Sequence, residues 1–213
     1  MSSNDCVQDL RITVNPPISE CNQELLKLVG SGRGSLDFIL GDADRRVRLL
    51  SQSINWSRTV VAWRDGHPVG YAQMRFGGHG PYEPHWDHFI KEYGWLHGPL
   101  AWLIFYIAEL WNCQCSFYFY GLKVSLEERK QGIGEALVRA VMEHAISCGY
   151  DRVELDVGPN FVIAKRLYER CGFKEVGRSQ LLGIARFLPF RELSFMRCDF
   201  ATLNLAKNQD DGK

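Results

Sequence analysis

The chain has 213 residues and a mass of 24.4 kDa, with 46% hydrophobic and 23% charged residues. This composition excludes a disordered chain and predicts a folded protein. Lys plus Arg number 25 and Asp plus Glu number 25, so the formal charge is zero. Such a chain has no global positive field to hold nucleic acid or an anionic membrane, and we expect neither as a partner.

The cysteines and the termini favour a cytoplasmic protein. The seven cysteines are odd in number and show no CxxC spacing, which is typical of reduced thiols. Met1 to Leu10 is polar and lacks the apolar stretch of a signal peptide. The most membrane-like segment, 99–108, ends at Glu109 and is shorter than the roughly 20 residues that span a bilayer.

The sequence pattern of the N-terminal third predicts a strand, two helices and a hairpin. Leu10 to Val14 alternates apolar and polar residues, as a half-buried strand does. Helices are expected over 20–29 and about 42–54, the latter with its charged residues between Asp42 and Arg48 on a solvated face. Two apolar runs, 60–63 and 69–76, flank Asp65-Gly66, whose residue types favour the positive φ angles of a tight turn.

Residues 77–115 differ in composition and are interpreted as an insertion between the third and fourth strands. Two helices are expected there, at about 85–93 and 99–111. We expect Trp102, Tyr106 and Trp111 to form one buried helical stripe, because residues three to five apart share nearly one face.

The C-terminal half predicts strands alternating with two helices. The expected strands are 117–124, 153–157, 174–178 and 193–200, and the expected helices run from about Ile133 to Gly149 and over 163–170. No repeat or linker marks a second domain. We therefore predict one domain over 1–213, with an ordered core at 9–203 and a polar tail at 204–213.

The most informative segment is the glycine turn, Arg129-Lys130-Gln131-Gly132-Ile133-Gly134, between a strand and a helix. Glycines at a helix start let the backbone approach a ligand, and the free N–H groups of the first turn favour a phosphate. A side chain at Gly132 or Gly134 would then intrude on that phosphate. Position 137 is Leu and no Gly-Lys-Ser/Thr occurs, so neither the dinucleotide nor the P-loop pattern is met. A plain helix start remains the alternative.

Two motifs at matching spacing resemble those of the GNAT superfamily of N-acetyltransferases. Arg129 to Gly134 resembles its Arg/Gln-x-x-Gly-x-Gly/Ala acetyl-CoA motif, and Ala164 to Phe173 resembles its Ala-x-x-Leu-Tyr-x-x-x-Gly-Phe motif. The resemblance covers 60–76 and 117–200 well, the N-terminal helices loosely, and the insertion not at all. The family often has Asn seven positions before the Tyr, where this chain has Phe161 beside Asn160.

The resemblance implies an acetyl-CoA site without a metal. The strand before the glycine turn would line pantetheine with its main chain, and the pyrophosphate would contact the N–H groups of the turn. The cofactor-binding residues implied are Leu122, Lys123, Val124, Arg129, Lys130, Gln131, Gly132, Ile133, Gly134 and Asn160. The side chains of Arg129 and Lys130 could equally be solvated.

The resemblance also implies that Tyr168 is catalytic, with its hydroxyl protonating the departing CoA thiolate. The alternative is a buried tyrosine on the apolar face formed with Ile163 and Leu167.

The acceptor side has no motif. Asp156 lies near the end of its strand, where ligands of α/β sheets collect. Tyr82, Trp86 and Trp95 lie among prolines, glycines and histidines of the insertion, and aromatic walls suit a compact, partly apolar ligand. We take Glu83, Trp86 and Asp156 as candidate substrate-binding residues for a small amine.

The sequence favours neither a zinc site nor a nucleophilic cysteine. The spacing of His79, His85, His88 and His97 matches no zinc pattern, so loop histidines are expected. No histidine is placed beside Cys171, and a small buried thiol is expected there.

The sequence thus predicts an α/β fold, GNAT-like, with a mixed, largely antiparallel twisted sheet flanked by helices. The predicted activity is acetyl-CoA-dependent N-acetylation of a primary amine by direct attack on the thioester. A protein or peptide acceptor and a non-catalytic acyl-CoA-binding module remain alternatives. The sequence leaves open whether the chain is a monomer or a homodimer.

Overall fold

A computed structural model of the chain describes residues 10–32, 36–111, 115–180 and 192–201. Within these residues seven strands form one sheet in the order β1-β2-β3-β4-β5-β7-β6. The strands are β1 (Leu10–Val14), β2 (Thr59–Arg64), β3 (His67–Phe76), β4 (Phe117–Val124), β5 (Arg152–Val157), β6 (Lys174–Gln180) and β7 (Glu192–Asp199). Neighbouring strands are antiparallel except β4 and β5, which are parallel. The predicted mixed, largely antiparallel α/β fold is confirmed.

Six helices flank the described part of this sheet. They are α1 (Gln23–Gly30), α2 (Asp37–Leu40), α3 (Ala43–Leu50), α4 (Trp86–Trp111), α5 (Ile133–Ser147) and α6 (Val162–Arg170). Side-chain oxygens of Asn22 and Asp42 accept hydrogen bonds from the N–H groups of Leu25 and Arg45, which fixes where α1 and α3 begin. The helix predicted over 42–54 ends earlier, because a 3-10 turn follows α3.

The two faces of the sheet carry separate apolar clusters. Residues alternate between the faces along each strand, so that Val60 joins the cluster under α5 and α6 while Val61 joins the cluster under α1 to α4. The turn between β2 and β3 has positive φ at Asp65 and Gly66, 50° and 81°, as its residue types predict.

Helix α3 is less solvated than its charges suggest. Arg46 is buried and donates from Nη1 to the carbonyl oxygen of Gly41 at 2.5 Å and from Nε to that of Ser31 at 3.3 Å. The prediction of a fully solvated charged face between Asp42 and Arg48 is therefore wrong at this residue, because its guanidinium holds the ends of the neighbouring loop.

The insertion contains the predicted pair of helical segments, which meet at Gly94 with φ 75° inside α4. The chain folds back there, since the rings of Phe89 and Phe105 lie 5.7 Å apart. A Cβ at Gly98 would lie 2.8 Å from the carbonyl oxygen of Phe89, so glycine lets the two segments touch. The second segment begins before Pro99, and Tyr106 is 48% exposed, so the predicted buried stripe is wrong at Tyr106.

The predicted tail, 204–213, lies outside the described residues, as does Cys113.

Candidate active site

An opening between β4 and β5 forms the centre of the candidate site. The two parallel strands share one paired position, Tyr118 with Glu154, and no further pair forms along these two fully described strands. Residues of β4 beyond Tyr118 therefore run towards the glycine turn with one edge unpaired by β5. Unpaired edge groups of a strand can accept the backbone-like amides of an extended ligand.

The pairing of β4 with β3 shows which residues offer that edge. The N–H of Ser125 donates to the carbonyl of Val69 at 2.9 Å, and antiparallel pairing alternates along the strand, so Lys123 also directs its backbone to β3. Leu122 and Val124 direct theirs to the open side, and the carbonyl of Val124 accepts from Nε of Arg129 at 3.3 Å. The alternation divides the predicted set 122–124: Leu122 and Val124 line the opening, while the backbone of Lys123 pairs with Tyr71.

The side chain of Lys123 lies on the face of the sheet that packs against α1 to α4. Its Nζ donates to Oγ of Ser31 at 2.6 Å. Burial, with the nearby charges of Arg46 and Arg129, lowers the pKa of this ammonium.

The glycine turn leads directly into α5 and is exposed from Arg129 to Gly132. Lys130 and Gly132 have positive φ, 63° and 80°, and this backbone swings the chain into the helix. The first helical hydrogen bond runs from the N–H of Ala136 to the carbonyl of Gly132, so the preceding N–H groups have no partner within the helix. This leaves the donors at Ile133 and Gly134 where the sequence places a phosphate.

The side chain of Gln131 holds the turn in place. Arg64 of β2 donates to the side chains of both Glu128 and Gln131, and Nε2 of Gln131 donates to the carbonyl of Glu127 at 3.3 Å. Gln131 can therefore offer a ligand its N–H group, while its side chain supports the loop.

Gly132 and Gly134 are required for different reasons. A Cβ at Gly134 would lie 3.1 Å from Cδ2 of Leu167 and 3.8 Å from Cδ2 of Leu122, so a side chain there would meet α6 and β4. At Gly132 a Cβ would meet nothing within 4 Å, but the left-handed backbone favours glycine. A side chain at Gly134 would thus also disturb packing inside the protein, and its intrusion on a phosphate stays a prediction.

Tyr168 lies on α6 and is 7% exposed. Its ring packs edge-on against Phe119 of β4, with centroids 5.6 Å apart, and against Phe173 at 5.9 Å. Burial raises the pKa of its hydroxyl, and the negative charge of Asp156 adds to that effect. The hydroxyl is therefore held in its protonated form, and the same residue is also part of the core.

Asp156 lies on β5 opposite Phe195 of β7, on the face that also carries Glu154. Glu154 accepts from Nη2 of Arg197 at 2.7 Å. Because paired residues of parallel strands share a face, Tyr118 lies on this side too. Asp156 therefore lies on the same face as Tyr118, and its negative charge contributes to the raised pKa of Tyr168.

A buried ionic group on the same side was missed by the sequence analysis. The register between β3 and β4 shifts between Gln73 and Met74, which leaves Tyr120 as the extra residue of a bulge. The hydroxyl of Tyr120 donates to Glu109, which is 7% exposed. Nη1 of Arg75 donates to the same carboxylate at 2.8 Å. The available signal was that Glu109 is the one Asp, Glu, Lys or Arg between Trp95 and Trp111.

Glu83 and Trp86 lie apart from these groups. Oε1 of Glu83 lies 2.9 Å from Nδ1 of His79, and its N–H donates to the carbonyl of Ser53. The ring of Trp86 packs against Trp95 at 6.2 Å. None of the described contacts of Glu83 or Trp86 is with Tyr168, Asp156 or the glycine turn.

Asn160 is exposed in the loop between β5 and α6, one residue before Phe161, which precedes the helix. Its backbone belongs to a turn in which the N–H of Phe161 donates to the carbonyl of Gly158. The role of Asn160 stays a prediction.

Other reactive side chains lie in ordinary structural surroundings. Cys171 is 3% exposed and burial raises its thiol pKa, as expected for a small buried thiol. Within the described ranges, no three His, Cys, Asp or Glu side chains cluster as a metal site would require. In the same ranges, no helix has both the length and the apolar character to cross a membrane.

The chain resembles known proteins in its sequence. The sequence profile of the Acetyltransferase (GNAT) family matches residues 35–173. N-acetyltransferase 8 of Homo sapiens is 39% identical over 77 residues, which make up 36% of this chain and 34% of that protein. The chain thus aligns with about a third of the length of this curated relative.

Two solved structures share the fold. A polyamine N-acetyltransferase of Drosophila melanogaster has a TM-score of 0.55 at 13% identity, covering 90% of this chain and 100% of that chain. A Bacillus subtilis acetyltransferase in complex with CoA has a TM-score of 0.53 at 16% identity, covering 90% and 99%. Because the family profile spans more than half of its residues, the chain belongs to the GNAT acetyltransferase family.

Proposed function

We propose that the chain is an acetyl-CoA-dependent N-acetyltransferase that acetylates a primary amine by direct attack on the thioester. One observation carries the proposal. The position of a Cβ at Gly134 lies within 4 Å of both Leu122 on β4 and Leu167 on α6. The glycine turn, the open edge of β4 and the helix of Tyr168 therefore converge on one opening.

The residues present fit acetyl-CoA. Leu122 and the N–H of Val124 offer backbone groups to pantetheine, whereas the carbonyl of Val124 already accepts from Arg129. The N–H of Arg129 donates to the carbonyl of Leu126, so the N–H groups from Lys130 to Gly134 offer donors and the positive end of α5 to the pyrophosphate. Arg129 and Lys130 add positive charge beside this turn.

Acetyl-CoA would supply the acetyl group as an activated thioester. The neutral amine nitrogen forms the new bond to the acetyl carbonyl carbon and releases one proton to solvent, the carbon–sulfur bond breaks, and Tyr168 gives its proton to the sulfur. The raised pKa of Tyr168 keeps that proton available at neutral pH. Solvent then returns a proton to the tyrosine, so the residue is unchanged after turnover.

The acceptor is proposed to enter on the face of Tyr118, Tyr120 and Asp156. Carboxylates of Asp156, Glu154 and Glu109 lie on this side, the last two paired with Arg197 and Arg75. Carboxylates favour an incoming ammonium group, and aromatic rings provide walls for its apolar part. A small amine fits this arrangement. The Drosophila melanogaster enzyme that shares the fold is itself a polyamine N-acetyltransferase.

The test is a panel of amines and peptides incubated with purified protein and acetyl-CoA, with release of free CoA thiol as the signal. A small amine as the best acceptor supports the proposal. A peptide as the best acceptor would instead support the alternative, a protein or peptide N-acetyltransferase. Binding of acetyl-CoA without thiol release from any acceptor would favour the non-catalytic module.

A further inference from the structure

The outer face of the second segment of α4 is apolar and exposed. Leu96, Leu100, Leu103 and Ile107 are 82%, 58%, 46% and 46% exposed. Their spacing of four, three and four residues puts them on one stripe of the helix, called here the α4 stripe. No Asp, Glu, Lys or Arg occurs between Trp95 and Ala108.

The opposite side of the same segment already has its partners. Ala101 and Phe105 belong to the cluster on the sheet, and Glu109 binds Arg75 and Tyr120. Helix α4 is therefore fixed to the sheet by its inner face. The α4 stripe is not needed for that attachment, yet soluble monomers rarely expose a contiguous apolar surface of this extent.

Aromatic side chains extend the stripe on one flank. Trp95 is 77% exposed, Tyr106 48% and Trp86 45%. Together with the α4 stripe, these side chains expose on the order of 800 Å², which matches the area that each partner buries in a standard-size protein interface. A large aromatic content is also typical of interface centres.

We infer that the α4 stripe is the interface of a homodimer in which the α4 helices of two copies pack against each other. The four-three-four spacing is the pattern of a helix that packs along another helix, rather than that of a pocket for a small ligand. A twofold axis across the stripe brings identical apolar surfaces together, so that the interface is self-complementary. The zero formal charge of the chain provides no net repulsion between copies.

A lipid surface is the competing occupant, and the charges argue against it. A helix that lies in a membrane interface carries Lys or Arg beside its apolar face. The segment from Trp95 to Ala108 has none, and the nearby Arg45 and Arg48 are bound to Glu92. The homodimer is independent of the proposed acetyl transfer, because no residue of the α4 stripe lies at the opening between β4 and β5.

The test is sedimentation equilibrium of the full chain and of the Leu100→Glu/Leu103→Glu double variant. The wild type should be a dimer, and the double variant should dimerise about 100-fold more weakly or not at all, since its charges would be buried in the interface. Ile18→Glu is the matched control, because Ile18 is 82% exposed on another part of the surface, and it should dimerise as the wild type does.

A second measurement keeps the inference testable if the double variant misfolds. Leu103→Cys should form a disulfide-linked dimer under mild oxidation well above the wild-type level, and Ile18→Cys should not. A wild type that sediments as a monomer throughout would overturn the inference. So would binding of the monomer to phosphatidylcholine vesicles that is lost in the double variant.

Discussion

At the scale of single residues, the hydroxyl of Tyr168 should carry the proton transfer. Tyr168→Phe removes that hydroxyl and keeps the ring that packs on Phe119. We expect kcat to fall by about 10²- to 10⁴-fold, the usual effect of a lost general acid, with little change in acetyl-CoA affinity. Steady-state kinetics and calorimetric titration measure the two quantities. Unchanged kcat would mean that Tyr168 is purely a core residue.

The pH dependence gives an independent check on the same residue. Burial and Asp156 raise the pKa of Tyr168, and a raised pKa keeps the acid protonated. Deprotonation of Tyr168 should therefore not lower kcat at any pH below the usual tyrosine pKa of about 10. A decline in kcat as the pH rises from 7 towards 10, present in the wild type and absent from Tyr168→Phe, would contradict the assigned protonation state.

Gly132 offers a cleaner test of the phosphate site than Gly134. Asn tolerates left-handed backbone, and a Cβ at this position meets no atom within 4 Å. Gly132→Asn should therefore fold with nearly wild-type stability, while its side chain obstructs the ligand and weakens acetyl-CoA binding at least tenfold. Thermal unfolding and calorimetric titration of the same samples separate the two effects.

Gly134→Ala tests the role of the second glycine in packing. Its Cβ would lie 3.1 Å from Cδ2 of Leu167, which must shift by a few tenths of an ångström, so we expect a loss of at most about 1 kcal/mol in the free energy of unfolding. Gly177→Ala is the control, because a Cβ there meets nothing within 4 Å. If Gly132→Asn bound acetyl-CoA normally, the phosphate assignment would be wrong whatever Gly134→Ala showed.

At the scale of elements, the bulge of β4 and the end of α4 are expected to form the acceptor side. Tyr120→Phe removes the hydroxyl bound to Glu109 and leaves the ion pair between Glu109 and Arg75 in place. We expect the KM for the amine to rise several-fold, with KM for acetyl-CoA unchanged, because the variant alters only the acceptor side.

Trp86→Ala distinguishes this account from the acceptor site suggested by the sequence. If Trp86→Ala raises the KM for the amine and Tyr120→Phe does not, the insertion binds the acceptor through its first segment. Glu109→Gln is unsuited to the comparison, because it would leave Arg75 without its buried counter-charge, which typically costs about 3 kcal/mol or more.

The parts of this fold that could be predicted from sequence are those set by local pattern. The limits of β1 and β4 follow from alternation and apolar composition, and the turn at Asp65-Gly66 follows from its residue types. The glycine turn and Tyr168 were indicated by two short motifs, whose convergence on one opening required the structure.

The features that escaped prediction depend on contacts between distant residues. Arg75 and Glu109 lie on β3 and α4 and meet only after the insertion folds back at Gly94. The bulge at Tyr120 is a property of the register between two strands, to which the sequence of either strand gives no guide. Arg46 looked solvated because its partners are backbone carbonyls of a loop.

At the scale of the whole molecule, stability should fall at alkaline pH. Tyr71 is 4% exposed, and burial raises its pKa to about 12, against about 10 in an unfolded chain. Because the folded pKa is the higher one, the contribution of this group to stability is complete below pH 10 and is lost as the pH rises through 12. The loss amounts to roughly 2 to 3 kcal/mol for such a shift.

Tyr71→Phe tests that dependence. Thermal unfolding followed by circular dichroism between pH 8 and about 11.5 should show a shallower decline in Tm for the variant than for the wild type. Equal slopes would show that other groups govern alkaline unfolding. The measurement concerns the fold alone and does not depend on the proposed activity.

We propose that one opening, between β4 and β5, binds acetyl-CoA and transfers its acetyl group to an amine. The most direct measurement quantifies free CoA thiol and N-acetylated amine in the same reaction, for the wild type and for Tyr168→Phe. We predict equal amounts of the two products from the wild type, thiol release only when an amine is present, and a rate at least 100-fold lower for the variant. Acetyl-CoA binding without either product, or equal rates for the two proteins, would contradict the account.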